Sequence, residues 1–265
     1  MGKFDGILIC SDWDGTLFAN DTVPESTICA IEYFKSEGGL FSISSGRDPS
    51  FLKEMSKFVL PNTYCICYGG ALISDISNGE IVKSDFLDDD AFETVEALLS
   101  SGACTAKINL MCENSVTIHL TPEKYKKSLP TLPKRIYKIT LNGYSDGDGE
   151  IYARVADRLN GEKYTLARSY PSYIEIMMTK NTKGRAAKML KEKLGAKLLV
   201  GFGDYENDIP LFSETDISFA VANAVAPLKA IATYALHRTA SDGAMEELLN
   251  ILENITTVNH DFDRK

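Results

Sequence analysis

No apolar stretch in this sequence approaches the roughly 20 residues that a bilayer-spanning helix needs, and Met1-Gly2-Lys3-Phe4-Asp5 lacks the basic-then-apolar layout of a secretory leader. The expectation is a cytoplasmic protein with no membrane partner. Basic residues are also in deficit: 28 Lys and Arg against 37 Asp and Glu leave a formal charge of −9. That balance argues against a nucleic-acid partner, because backbone binding relies on clustered cations. Histidine occurs only three times, at His119, His237 and His260, with no metal-ligand spacing. The six cysteines are scattered, several of them inside apolar runs, and read as buried free thiols. Cys65-Ile66-Cys67 fits neither a zinc knuckle nor a redox pair.

What is present is an alternation of strand and helix that breaks and then resumes. Gly6 to Ser11 is an apolar strand, Glu25 to Glu37 a periodic helix stopped by Gly38-Gly39, and Leu40 to Ser44 a second strand. Asp48-Pro49 predicts an N-cap with Pro at the first helical position of a helix reaching about Phe58, followed by a strand at Tyr64 to Cys67. Ala71 to Val82 reads as a hairpin turning tightly at Asn78-Gly79. From about Lys83 the pattern becomes antiparallel: a helix at Asp89 to Leu99, strands near Thr105 to Met111, Ser115 to Leu120 and Ile136 to Leu141, a helix at Glu150 to Leu159, and two strands ending near Met178. Asp146 to Glu150 lacks the ligand spacing of a calcium loop and reads as an exposed turn.

Alternation resumes with a helix at Lys183 to Leu194, a strand at Lys197 to Gly203, and further strands near Ile217 to Val221 and Thr233 to Leu236, each followed by a helix; the polar tail from Thr256 is expected to fray. The fold class that follows is α/β: a doubly wound, mostly parallel sheet formed by residues 1–82 and 180–265, interrupted by an α+β domain at 83–179. Nothing in the pattern fixes an oligomeric state.

Two segments at opposite ends of the chain each follow a predicted strand and carry acids at its end: Ser11-Asp12-Trp13-Asp14-Gly15-Thr16 and Gly203-Asp204-Tyr205-Glu206-Asn207-Asp208. In a parallel sheet, ligands gather at the carboxyl ends of the strands, so the two segments should converge. Four acids in one pocket repel unless a divalent cation and a basic side chain join them. That requirement points to metal-assisted phosphate chemistry.

Asp-Trp-Asp-Gly-Thr resembles the first motif of the haloacid-dehalogenase-like phosphatases, and the other pieces of that family's set occur in order. Ser45-Gly46-Arg47 resembles the second motif, with Ser where Thr is usual; Lys183 in Thr182-Lys183-Gly184-Arg185 resembles the third-motif lysine; Gly203 to Asp208 resembles the fourth. Glu175 to Met178, Ala220 to Ala224 and Ser241-Asp242-Gly243 extend the likeness, as does the insertion after the third strand, which matches the larger, later-inserted α/β cap of the Cof-like sugar-phosphatase subgroup. Tyr205 and Gly69 depart from the Gly and Asn common there.

The resemblance implies a Mg²⁺-dependent phosphatase of a small-molecule phosphate ester, with a sugar phosphate as the expected substrate. Asp12 would attack phosphorus to form an aspartyl-phosphate, and Asp14 would protonate the leaving oxygen and then activate water. Ser45, Gly46, Arg47, Lys183 and Asn207 would bind phosphate, and Mg²⁺ would be held by Asp12, the main-chain carbonyl of Asp14, Asp204 and Asp208. For Asp14 to carry a proton near neutral pH, burial under the cap and neighbouring carboxylates must raise its affinity for it. Taken singly, each motif has a bland reading as a turn, a solvated lysine or a strand end. The alternatives are a sugar phosphomutase, which would return the phosphoryl group to an isomerised ester, and a phospho-ligand sensor without turnover. Trp13, Tyr170 and Tyr173 read as packing residues, and Arg135 and Arg168 as candidates for contact with the leaving group.

Overall fold

The computed structural model describes residues 2–100, 107–142, 163–170 and 173–262. The fully buried strand β1 (Ile7–Ser11) leads through α1 (Glu25–Ser36) to β2 (Leu40–Ile43). Asp48 caps α2 (Pro49–Met55), its side chain accepting from the Phe51 N–H at 3.0 Å. This helix stops short of the predicted Phe58, and the Ser56 hydroxyl donates to the Lys53 carbonyl at 2.7 Å, satisfying a carbonyl of the last turn.

Next, β3 (Cys65–Cys67), β4 (Leu72–Ser74) and β5 (Ile81–Ser84) form a small antiparallel sheet, joined to the end of β2 by a parallel bridge between Ser44 and Ile66. The tight two-residue turn predicted at Asn78-Gly79 is instead a longer loop. Only Gly79 takes a positive φ there, because the Asp75 carboxylate gathers Ser77 N, Ser77 Oγ and Asn78 Nδ2 at 2.6 to 2.9 Å.

The middle of the chain contributes α3 (Ala91–Ser100), β6 (Lys107–Cys112), β7 (Thr117–Leu120), α4 (Pro122–Ser128), β8 (Ile136–Asn142), β9 (Tyr164–Tyr170) and β10 (Tyr173–Met178). These strands make an antiparallel sheet in the order β7-β6-β8-β10-β9. Helix α4 escaped the sequence reading although Thr121-Pro122 is an N-cap followed by Pro; the Thr121 hydroxyl accepts from Lys124 N at 3.3 Å. The helix expected at 150–159, the turn at 146–150 and Cys104 lie outside the described residues, as do the side chains of Arg168, Tyr170 and Tyr173.

Alternation then returns with α5 (Lys183–Leu194), β11 (Leu198–Gly203), α6 (Ile209–Glu214), β12 (Ile217–Ala220), α7 (Ala226–Ile231), β13 (Tyr234–Ala235) and α8 (Ala244–Phe262). Helix α8 continues past Thr256, where fraying was expected; the Thr256 hydroxyl donates to the Leu252 and Glu253 carbonyls. The parallel sheet runs β13-β12-β11-β1-β2, so both ends of the chain build one sheet and the antiparallel sheet is an insertion between them. The mixed α/β class and the inserted cap are as the sequence predicts.

Each sheet has its own hydrophobic cluster. In the cap, Ile108, Leu110, Ile139 and Leu141 pack with Val95 and Tyr125 of the covering helices, which leaves the alternate residues of β6 and β8 on the opposite face. In the core, Trp13 is fully buried and stacks on Phe18 at 5.5 Å, so it packs as predicted. Cys10, Cys65, Cys67 and Cys112 are buried free thiols, and burial pushes those of Cys10 and Cys65 up to about 12; Cys29 is exposed, unlike the expectation.

The two units meet through Tyr68, which stacks on Tyr137 at 4.6 Å and donates to the Cys112 carbonyl at 3.3 Å. Their two chain crossings are tied by the Lys83 ammonium, which donates to Gly70 O at 2.7 Å and Asn181 Oδ1 at 2.9 Å. No helix among the described residues is long and apolar enough to cross a membrane.

Candidate active site

Strands β11, β1 and β2 lie side by side, so the residues that follow their carboxyl ends converge. Asp12 directly follows β1, with its N–H donating to Phe202 O at 2.8 Å, and Asp204 directly follows β11. On the other side of β1, Ser44 N donates to Ser11 O at 2.7 Å and so fixes the start of the Ser45-Gly46-Arg47 loop.

Two glycines allow the acids to crowd together. Gly15 has φ +79°, and a Cβ there would lie 2.3 Å from Asp204 Oδ2. A Cβ on Gly203 would lie 2.5 Å from Asp208 Oδ2. Any larger residue at either position would displace a carboxylate.

Carboxylate oxygens of Asp12, Asp204 and Asp208 come within 4.8 Å of one another. The counter-charge is Lys183, the first residue of α5, whose ammonium lies 2.6 Å from Asp12 Oδ1 and 2.6 Å from Asp208 Oδ1. A cation at a helix N-terminus opposes the macrodipole, and it is the two carboxylates that hold it there. Burial works against the charge on Lys183, but these acids outweigh it and keep the amine firmly protonated. Thr182 caps the helix, its hydroxyl accepting from Arg185 N at 3.2 Å. Gly184 lets α5 press on α6, since a Cβ there would meet Pro210 O at 1.8 Å.

One lysine does not neutralise three acids. Burial, followed by the charges of Asp208 and Asp204, holds Asp12 well above the usual carboxylate range even though Lys183 pulls the other way. Burial and the Asp208 charge push Asp204 up to about 7, while Lys183 and the Thr16 hydroxyl, 3.1 Å from Asp204 Oδ1, favour its ionised form. Asp208 is fully buried and accepts from the N–H groups of Asp204 and Tyr205 at 3.0 and 3.3 Å. Three oxygen donors short of positive charge, with no nitrogen or sulfur among them, are the donor set of a hard divalent cation.

Asp14 departs from its expected setting. It is half exposed instead of buried, and the Arg47 guanidinium grips it with a fork of 2.9 and 3.0 Å while lying 4.5 Å from the Phe51 ring centroid. The side chain at 14 is held by Arg47 and lies outside the three-acid cluster. Ser45 is buried, its hydroxyl accepting from Arg47 N at 3.2 Å, which leaves the hydroxyl proton available to a ligand. Asn207 lines the same cavity, and its buried Oδ1 has no hydrogen-bond partner among the described residues. All nine sequence-predicted site residues are therefore brought to one place, with Lys183 and Asp208 forming its buried side.

The cavity above them measures about 1240 Å³ and its far wall is the cap sheet. Lys138 and Glu175, both buried, pair there at 2.8 Å, and the Lys138 ammonium also donates to Gly46 O at 2.9 Å, so a cap cation rests on the core loop. Gly46 permits that approach, since a Cβ would sit 3.0 Å from Lys138 Nζ. The sequence reading passed over Lys138 and dismissed His119, which lines the cavity with Nδ1 2.7 Å from Asn109 Oδ1. Arg135, a predicted contact, instead pairs with Glu113 at 2.8 Å and covers Phe86, away from the cavity lining. The period-two pattern of β6 to β8 was the available signal for a polar sheet face, but it does not separate a cavity wall from open solvent.

Comparison with known proteins agrees with this geometry. A family model for haloacid dehalogenase-like hydrolases matches residues 9–248. A phosphoglycolate phosphatase of Sulfurisphaera tokodaii is 27% identical over 259 residues, covering 93% of this chain and 95% of its own. Among solved structures, a haloacid dehalogenase-like hydrolase from B. subtilis superposes with a TM-score of 0.77 at 19% identity, over 92% of this chain and 98% of that one. A subclass IIB sugar phosphatase superposes with a TM-score of 0.76 at 18% identity, over the same shares. The chain belongs to the haloacid dehalogenase-like hydrolases and is a phosphatase of that family.

Proposed function

We propose that the protein hydrolyses the phosphate monoester of a small metabolite, a sugar phosphate in the first instance, through an aspartyl-phosphate on Asp12, with residues 1–82 and 180–265 as catalytic core and 83–179 as cap. The observation that carries this reading is the buried Lys183 bridge between Asp12 and Asp208, with Asp204 completing the acid cluster at the strand ends.

Asp12 Oδ attacks phosphorus while the bond to the leaving oxygen breaks; Asp14 gives that oxygen a proton, and afterwards takes one from the water that releases inorganic phosphate and regenerates the carboxylate. Asp14 is held by Arg47 in the free protein, so the fork must loosen for this proton transfer. Ser45, Gly46, Arg47, Lys183 and Asn207 orient the phosphoryl oxygens, Lys183 from the buried side. Asp12, Asp204 and Asp208, with the Asp14 main-chain carbonyl, are the residues that would hold Mg²⁺. Bound there, Mg²⁺ supplies charge neutralisation between the acids and the phosphate.

The test is inorganic-phosphate release from a panel of sugar, nucleotide and cofactor phosphates, in Mg²⁺ or EDTA, by wild type and Asp12→Asn. The expected result is Mg²⁺-dependent release by the wild type that the substitution abolishes. An isomerised ester without phosphate release would replace hydrolysis by mutase action, and binding without turnover would replace it by a sensor.

A further inference from the structure

The charges on the cap wall of the cavity do not cancel. Glu175 is matched by Lys138, and on the core side Asp14 is matched by Arg47 and Asp48 is bound as the cap of α2. Lys107, at the start of β6, and Lys124, in α4, line the same cavity, and neither ammonium has a protein partner among the described residues. Between them runs a ladder that holds its polar side chains in place. His119, Asn109 and Thr140 are directly opposite one another in the strand register, with Asn109 Nδ2 donating to Thr140 Oγ1 at 3.0 Å and Asn109 Oδ1 meeting His119 Nδ1 at 2.7 Å.

The strand geometry also says how far these cations lie from the phosphate loop. Lys138, which touches Gly46 O, pairs with Met111 across the ladder, so the Met111 end of β6 is the end near the core. Lys107 lies four residues further along the same face, about 14 Å at roughly 3.4 Å per residue. Acids therefore occupy the floor of the cavity, and unmatched lysines occupy its far end.

Resting on the phosphatase reading, we propose that the preferred substrate has a leaving group bearing a second anion, a carboxylate or a further phosphate, on the order of 10 Å from the scissile phosphorus, and that Lys107 and Lys124 recognise it. A neutral polyol gains no ion pairing from these two ammonium groups, whereas an anion relieves their unmatched charge. Exposed pairs contribute modestly, a few-fold each, so two together amount to about ten-fold.

The test uses three esters of one six-carbon chain that differ only at the far end: sorbitol 6-phosphate, 6-phosphogluconate and sorbitol 1,6-bisphosphate. Dissociation constants are measured by calorimetry in Mg²⁺ on the Asp12→Asn background, which lacks the attacking group, and kcat/KM on the wild-type side chain at 12. The expected result is about ten-fold tighter binding of an anionic ester than of the polyol, with the order of the two anionic esters naming the preferred anion. In Lys107→Gln/Lys124→Gln that ratio falls to within about two-fold of unity, as two lost surface pairs require. Equal binding of all three, a preference that survives the double substitution, or no binding of either anionic ester at millimolar concentration overturns the proposal. Failure of the phosphatase reading is seen separately, as absence of phosphate release from p-nitrophenyl phosphate in Mg²⁺ whatever the binding ratio.

Discussion

Replacing Lys183 by Met keeps a side chain of similar length while removing the only ammonium within hydrogen-bonding distance of Asp12 and Asp208 among the described residues. With charge centres about 4 Å apart and an effective dielectric near 20, each of the two pairs has a gross Coulomb attraction of about 4 kcal/mol. Much of that is offset by the cost of keeping three ionic groups out of water. Breaking a buried pair by deleting one member leaves a net loss of roughly 3–5 kcal/mol. At about 2–4 °C per kcal/mol for a protein of this size, the metal-free variant should melt roughly 10 °C below the wild type. Differential scanning calorimetry at pH 8 in EDTA measures this directly.

Adding Mg²⁺ sharpens the test. Without Lys183 the cluster lacks its one internal cation, so a divalent ion should raise the melting temperature of Lys183→Met by more than it raises that of the wild type, while phosphate release stays depressed by at least about 10²-fold. Equal melting of the two proteins in EDTA would refute the view that Lys183 is the counter-ion of a charge-strained cluster. No Mg²⁺ shift in the variant would show that the acids bind no cation without Lys183.

Two further outcomes follow from the same cluster. Asp204 holds its proton up to about 7 in the fold against a reference value of 3.8, so the folded state binds that proton more tightly; the stability this gives is complete below about pH 4 and is lost as pH rises to about 7. Melting temperatures in EDTA should fall across that window, and Asp204→Asn should flatten the fall. At Gly184 a methyl group would meet Pro210 O at 1.8 Å, so Gly184→Ala should force α5 off α6, lower stability by about 1–3 kcal/mol and reduce phosphate release with it, read by urea unfolding and the phosphate assay together.

The acid cluster was legible in the sequence because its parts are tied to local structure. Asp12 and Asp204 each end an apolar run, and in a parallel sheet the ends of neighbouring strands share an edge. Lys183 follows a capping Thr and opens a helix whose apolar residues recur with its turn. The polar wall of the cap had no such support. Lys138 and Glu175 are 37 positions apart, on strands brought side by side by antiparallel pairing, and neither position alone signals an ion pair. Asp14 and Arg47, 33 positions apart, each belong to a motif, yet no local pattern pairs one with the other. Local pattern thus identified the chemistry, and non-local pairing determined how the acids and bases are shared out.

That sharing gives the cavity its polarity. Lys138 is matched by Glu175 and Arg47 by Asp14, while Lys183 is divided between Asp12 and Asp208, so the floor carries excess negative charge beside Asp204 and the far wall carries excess positive charge at Lys107 and Lys124. Above about pH 7, where Asp204 is ionised, the metal-free floor repels a phosphate group while the far wall attracts it, the reverse of the orientation that the proposed hydrolysis at Asp12 requires. A divalent cation at the three acids removes that inversion, because it leaves the floor able to accept a dianion while the far wall still attracts a second one. In the proposed reaction, ester orientation would therefore depend on a cation at the three acids as well as on the shape of the cavity. An ester with anions at both ends is the ligand that both walls then favour.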